Sequence, residues 1–368
     1  MAAGGRLAVE VEGLGPFSER VVLELDTPLV VLVGETGTGK SFLLRLLSVL
    51  LKNLRSTPDA RALEGDLASE FGHPGFAVHE GAEAGRVALS YGGEVLVDVR
   101  VHSRLLAARG VHAELVEVAG WKGSQPYIEL AERSVMAPDE RVPLTRRVLS
   151  ASQASSPPSM SAPASTESGR EQILRELSPS ASAFTSILSD MRGKEHWLLE
   201  EMLMPMMEEG LLPRVRSYFS KGVVAGYDAR NVSSAAISLL SLAPVVLRLH
   251  EGRALLAAVD TVELHLTPLL QAAAALNLAR WAKKGWLECE EHPAPLLLVT
   301  HSSVVLSALL AEVEERVKDK LVRLPDRYRL AEDDVKTVIL YREGGVVKCD
   351  VGKGIIPPRY LREYARFL

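Results

Sequence analysis

Cysteine is almost absent: Cys289 and Cys349 are the only two in 368 residues. They lie far apart with no His or Cys cluster beside them. That excludes a zinc site or a disulfide framework and sets the expectation of a reducing, cytoplasmic compartment. Long apolar runs are missing as well. The most apolar stretches, Ala235 to Leu247 and Pro295 to Thr300, fall short of the about 20 residues a bilayer-spanning helix needs, so no membrane insertion is expected. Met1 to Arg6 is small and Gly-rich, without the charged-then-apolar order of a signal peptide. Charge of one sign is also lacking. The net charge of −5 draws the chain neither to nucleic acid nor to an anionic membrane, so any polynucleotide contact would need a local patch.

What is present is an ordinary globular composition, 47% hydrophobic and 24% charged, enough for one large domain or two modest ones. Residues 1–149 read as an N-terminal lobe. Two apolar alternations, Leu7 to Val11 and Val21 to Leu25, flank the turn residues Gly13, Gly15 and Pro16 in a hairpin pattern. The continuous run Leu29 to Val33 is that of a strand buried on both faces. Further on, Arg86 to Tyr91 and Glu94 to His102 flank the hairpin signal Gly92-Gly93, and Glu114 to Val118 and Pro126 to Leu130 are expected strands. Residues 150–170 are almost entirely Ser, Ala, Pro, Thr and Gln, a composition too polar to order itself. Residues 171–220 carry helical patterns, expected to form an inserted helical subdomain far too short for a coiled-coil arm. Residues 221–368 alternate helices with the apolar strands Ala254 to Val259, Leu296 to Thr300 and Val338 to Tyr341.

The strongest chemical signal is Gly34-Glu35-Thr36-Gly37-Thr38-Gly39-Lys40-Ser41, a complete G-x-x-x-x-G-K-[ST] between a buried strand and an apolar helix. Glycines let the backbone wrap phosphates so that its N–H groups face phosphate oxygens, and the helix adds its positive end. Lys40 bridges β- and γ-phosphate oxygens in this reading, and the Ser41 hydroxyl ligates Mg²⁺. The expected ligand is therefore a nucleoside triphosphate with Mg²⁺. The apolar stretch Ala254 to Val259 ends in Asp260, which either holds Mg²⁺ or caps the next helix. A second such stretch ends in Thr300-His301-Ser302, where His301 either senses the γ-phosphate or is a hydrogen-bonded loop residue.

Val259-Asp260-Thr261-Val262-Glu263-Leu264-His265-Leu266-Thr267-Pro268 resembles the "hDEPELHLHP" segment of ABC-like "AAA domain" ATPases, relatives of the overcoming-lysogenization-defect proteins and of chromosome-maintenance and break-repair ATPase heads. Thr300-His301-Ser302 is similar to their "THS" switch, and Asn231 to Ala236 to their shortened "SSG/SSA" signature. Tyr127 to Ser134 resembles their "YIPAxR", and Gly13 to Phe17 their "NFGPF" opening. The resemblance implies an α/β P-loop fold of the ABC-ATPase-head type: a mixed central sheet, an antiparallel β-layer and the inserted helices. It implies ATP as the nucleotide, a choice over GTP that rests on the resemblance because no aromatic near the first strands is placed to stack on adenine. It implies a homodimer in which Ser233, Ser234 and Ala235 of one subunit cover the nucleotide on the other, with Arg133 carried over from "YIPAxR". Without the resemblance, those serines simply cap the apolar helix that follows.

One departure stands out. The family's catalytic Glu follows the metal-binding acid, and here that position is Thr261, whose hydroxyl is no general base near neutral pH. Glu263 is the expected substitute, because Thr261 and Glu263 would share a face of a regular strand. The expectation is a slow ATPase using Lys40, Glu263 and His301, acting on an unidentified protein partner, with DNA repair or defence as the family-level role. The alternatives are a non-hydrolysing ATP-gated scaffold and the motor subunit of a transporter. The chain ends at Leu368, which leaves no appended nuclease domain in this reading. Arg141, Arg146 and Arg147 read as a solvated basic cluster, or as a phosphate-backbone contact. Arg359, Arg362 and Arg366 with Tyr360 and Tyr364 give a basic, aromatic helical pattern, read as a partner contact or a solvated face.

Overall fold

A computed structural model describes residues 6–55, 59–72, 78–103, 115–145, 177–190, 205–206, 208–210, 234–289, 292–317 and 319–356. The apolar run becomes β3 (Leu29–Gly34), with every residue but the last buried. Its side chains alternate between two cores: Leu29, Val31 and Val33 enter one, and Val30 and Leu32 the other. That is why the run is apolar throughout rather than at every second position.

β3 lies inside a mixed sheet. Among the described residues its strand order is β11 (Val346–Lys353), β10 (Val335–Glu343), β3, β9 (Leu296–Val299), β8 (Ala257–Val259) and β7 (Val135–Ala137). All neighbours are parallel except β10 and β11. The parallel register brings the C-terminal ends of β3, β7 and β8 to one edge of the sheet, where open α/β sheets hold their ligands. A second sheet is wholly antiparallel: β2 (Val21–Leu25), β1 (Leu7–Glu12), β4 (Ala84–Tyr91), β5 (Glu94–His102) and β6 (Val116–Trp121). Helix α1 (Lys40–Asn53) lies in the core between the two sheets, its leucines packed with both. Gly92 and Gly93 take φ of 60° and 84° at the β4–β5 hairpin, as a two-residue turn requires.

The expected architecture is thus present: an α/β P-loop fold with a mixed sheet and an antiparallel layer. One expectation needs correction. Pro126 to Leu130 is not a strand but part of α3 (Gln125–Arg133), following Ser124 with Pro126 in the first turn, where the missing N–H costs nothing. Strands β7 and β11 went unforeseen. Of residues 171–220, helix α4 (Pro179–Asp190) is described, and it packs on α1, β7 and α2 (Ala60–Phe71). Residues 150–170 and 357–368, with Arg359, Arg362 and Arg366, lie outside the described residues.

The other core is closed by α5 (Ser234–Leu240), α6 (Ala243–Glu251), α7 (Pro268–Glu288) and α8 (Ser303–Val313). The stretch Ser234–Glu251 has the length and apolar composition of a membrane span, yet 72% of it is buried inside the fold. α7 and α8 are joined by a buried ion pair: Arg280 Nε lies 2.6 Å from Glu312 Oε1, with Nη2 3.3 Å from Oε2. Removing one partner of such a pair strands the other charge. Glu312→Ala should therefore lower the unfolding free energy by about 3 kcal/mol, read from urea denaturation. The low end of the range applies because Asp326 remains 3.4 Å from Arg280.

Candidate functional site

The turn after β3 exists because two of its glycines can be nothing else. Gly34 has φ 144°, and a Cβ there would sit 2.0 Å from the Leu340 carbonyl oxygen of β10. Gly39 has φ 94°, and its Cβ would sit 2.3 Å from Pro16, so the Gly13–Phe17 loop braces the start of α1. Gly39 supplies no side-chain cap to that helix, leaving its first-turn amides for an anion. The tip of the loop, Thr36 and Gly37, is exposed while Thr38 is buried. Arg342 Nη2 donates to the Gly37 carbonyl at 3.0 Å.

Lys40 is buried and folded back on its own loop. Its Nζ donates to Gly34 O at 2.8 Å, Glu35 O at 2.5 Å and Thr38 Oγ1 at 3.3 Å. Burial pushes its ammonium down to about 8, against the pull of Asp260, Glu35 and Glu263. A side-chain oxygen of Glu35 is also buried without a hydrogen-bond partner. The buried ammonium and the uncapped first turn of α1 suit a polyphosphate.

Asp260 follows β8 directly and is nearly fully buried. Burial raises its pKa, Ser41 and Thr261 oppose that rise, and the nearby Asp139 charge adds to it. The two residues expected to hold Mg²⁺ thus lie close together. Among the described residues no cluster of three or more His, Cys, Asp or Glu could hold a metal. Mg²⁺ in phosphate sites needs only one or two side chains plus substrate oxygens.

The segment after Asp260 is not a strand. Thr261 has φ 53°, an outlier for a β-branched residue that costs about 1–2 kcal/mol, and residues 262–265 turn. The argument that Thr261 and Glu263 share a strand face therefore fails. Glu263 reaches the site another way: its carboxylate accepts from Thr300 Oγ1 at 2.9 Å and from the His301 amide at 2.6 Å. Thr261 Oγ1 donates to Asp260 Oδ1 at 3.1 Å. Desolvation and the Lys40 charge hold the His301 imidazole below its usual value.

Two groups were missed in the sequence. Arg141 is not solvated but fully buried. Burial lowers its pKa to about 10, and its guanidinium donates to the carbonyls of Asp260 at 2.6 Å, Thr261 at 2.8 Å and Val262 at 3.3 Å. The adjoining Asp139 and Glu140 share Arg45 of α1. Burial and a hydrogen bond with Asp139 push the Glu140 carboxyl up to about 7. The only available signal was position: Pro138 to Arg141 follows a short apolar run, as Asp260 does.

Of the remaining expected residues, Ser234 begins α5 and is exposed, Ala235 is partly buried, and Ser233 lies outside the described residues. α5 touches the acidic turn through Ser238, whose hydroxyl donates to Leu264 O at 2.6 Å. Arg133 is a correction. It precedes β7, and β7 pairs in register with β8 from Val135 opposite Ala257, so Arg133 sits at the edge of the sheet opposite Asp260 and the phosphate loop.

No protein-family model matches the chain, nor does any curated protein. Among solved structures it is similar to the Smc head bound to the C-winged helix domain of ScpA, at 14% identity and TM-score 0.47 over 94% of this chain and 97% of that one. It is similar also to the Smc head with an extended coiled coil bound to the C-terminal domain of ScpA from Pyrococcus furiosus, at 12% identity and TM-score 0.48 over 98% and 100%. The SMC head domain from Thermotoga maritima gives 12% and 0.44 over 94% and 98%. Identities and superpositions of this order transfer no site residue.

Lys40 gives the site a pH signature. Its folded pKa, about 8, lies below the unfolded value near 10.4, so the unfolded chain binds more protons between the two. Stability should therefore rise with pH through that window. Urea denaturation from neutral to alkaline pH should show this rise in the native chain relative to Lys40→Met, which lacks the titrating group; parallel curves would contradict the buried, charged Lys40.

Proposed function

We propose that the chain is an ABC-type ATPase head that binds ATP with Mg²⁺ on Gly34 to Ser41, dimerises around the nucleotide and hydrolyses it slowly to drive a protein partner. The observation that carries this reading is the buried Lys40, folded back on its own phosphate loop, with the buried Asp260 within electrostatic reach. Asp260 follows β8, which β9 separates from β3.

In this reading the first-turn amides of α1 and Lys40 receive the phosphates, Lys40 exchanging its loop carbonyls for phosphate oxygens. Ser41 and Asp260 would hold Mg²⁺, which when bound supplies charge neutralisation on the phosphate oxygens. His301, beside Lys40 and bonded through its amide to Glu263, stands where a γ-phosphate would be sensed. Glu263 uses two of its roughly four lone-pair sites on Thr300 and His301, which fixes the carboxylate and leaves it capacity to orient a water. Ser233, Ser234 and Ala235 would face the nucleotide of the second subunit. The partner is read as protein, since the net charge of −5 gives nucleic acid no general attraction.

A second reading is an ATP-gated scaffold that does not hydrolyse. Thr261 favours it, because its hydroxyl is engaged by Asp260 rather than turned toward a water.

The test is ATP turnover with Mg²⁺ and oligomeric state, measured together for the native chain, Lys40→Ala and Glu263→Ala. Slow turnover and an ATP-dependent dimer are expected, both lost in Lys40→Ala. Glu263→Ala should keep the dimer and lose turnover by about 100-fold, the size of one acid–base group. A dimer without turnover in the native chain establishes the scaffold. Absence of any Lys40-dependent ATP binding defeats both readings.

A further inference from the structure

The buried guanidinium of Arg141 has no role in the reading above, and its surroundings give it one. We propose that Arg141 is the positioning residue of the metal site: by clamping the carbonyls of Asp260, Thr261 and Val262 it holds Thr261 in its left-handed conformation and fixes the Asp260 carboxylate opposite Ser41. This inference rests on the reading of the site as one for ATP with Mg²⁺.

Three observations carry it. First, Arg141 is fully buried, and its hydrogen bonds run to backbone carbonyls, those of residues 260–262 and, at 3.4 Å, Pro138. A desolvated charge needs fixed acceptors, and these acceptors belong to one short turn. Second, successive carbonyls of an extended chain point to opposite sides. Three in a row can meet one guanidinium only if the chain turns at the middle residue. Thr261, at φ 53°, is that residue. A β-branched side chain stays in this region only where its surroundings over-determine it, and the clamp is what does so. Third, the same turn aims the Thr261 hydroxyl at Asp260 Oδ1, 3.1 Å away. The clamp is anchored in turn. Arg141 opens the helical turn 141–145, directly after Asp139 and Glu140, which are tied to Arg45 on the same helix as Ser41. Arg141 touches neither nucleotide nor metal; it acts through the backbone on the residue that does.

Groups that orient a metal's ligands typically alter metal affinity by about 10–100-fold when lost. The test uses Mn²⁺ in place of Mg²⁺, titrated into the ATP complex and followed by electron paramagnetic resonance, alongside ATP binding in EDTA by calorimetry. Arg141→Lys keeps a positive charge but loses the planar fork. It should weaken Mn²⁺ binding by about ten-fold or more, while ATP affinity in EDTA falls far less. Adding Thr261→Asn, which tolerates the left-handed turn without the clamp and keeps a side-chain donor beside Asp260, should recover most of the Mn²⁺ affinity. If Arg141→Lys alone is unfolded, a folded double variant with near-native Mn²⁺ affinity gives the same support. Unchanged Mn²⁺ affinity in Arg141→Lys overturns the proposal. So does an equal loss of Mn²⁺ and metal-free ATP binding, or a double variant that shows no rescue or does not fold, since each makes Arg141 a structural residue only. A native chain that binds ATP without any contribution from Mn²⁺, or does not bind it, overturns the ATP–Mg²⁺ reading itself and is told apart by needing no variant.

Discussion

Two cations taken out of water set the geometry at the ends of β3 and β8. Lys40 and Arg141 are each buried to a few percent exposure or less, and a buried charge is tolerated only when acceptors are already in place. Both are satisfied mainly by backbone carbonyls: Lys40 by its own loop, Arg141 by the turn after β8. The loop conformation and the turn conformation are therefore not free variables. Each is the shape that keeps one cation solvated by protein. A phosphate loop arranged this way holds its lysine in reserve, bonded to groups it can leave, at little cost in reorganisation when an anion arrives.

The turn is also where several elements meet. Arg141 holds residues 260–262, Ser238 of α5 holds Leu264, and Gln271 of α7 donates to Leu266 O at 2.9 Å. Glu263 bonds the 300–301 segment, and Ser302 donates back to Gln271 at 2.7 Å while capping α8. The turn thus links β8, α5, α7 and α8 through side chains bonded to backbone and to one another. Such an arrangement moves as a unit or not at all. A change at the start of α5 has a short physical route to Asp260 through Ser238 and Leu264.

The parts of this site that could be read from the sequence are those encoded locally. The phosphate loop is eight consecutive residues, and β3 and β9 are uninterrupted apolar runs because both their faces are covered. The hairpin at Gly92-Gly93 follows from residues that accept positive φ. What escaped was set at long range. Arg141 lies between 119 and 121 residues from its acceptors, and those acceptors are carbonyls, which every residue has and no sequence pattern marks. Beside Arg146 and Arg147 it looked like part of a solvated cluster. Glu263 was found for the wrong reason: the strand stops at Val259, so its place comes from a turn whose shape depends on that same missed arginine. Tyr127 to Leu130 was misread because Pro126 can either interrupt a sheet or open a helix, and only Ser124 before it favoured the helix.

Thr261 gains a physical sense from its neighbours. Asp260 is already pushed toward its neutral form by burial and by the Asp139 charge. A second carboxylate at position 261 would stand beside it in the same dry pocket and push further. A hydroxyl there does the opposite, because its hydrogen bond to Oδ1 favours the charged form, the form that a divalent cation requires. On the reading proposed here, the residue that removes the usual base also keeps the metal carboxylate ionised. Water-orienting work then falls to Glu263, whose position is fixed by its bonds to Thr300 and His301 and not by the strand end. The same hydrogen bonds that hold Glu263 couple its carboxylate to whatever moves His301.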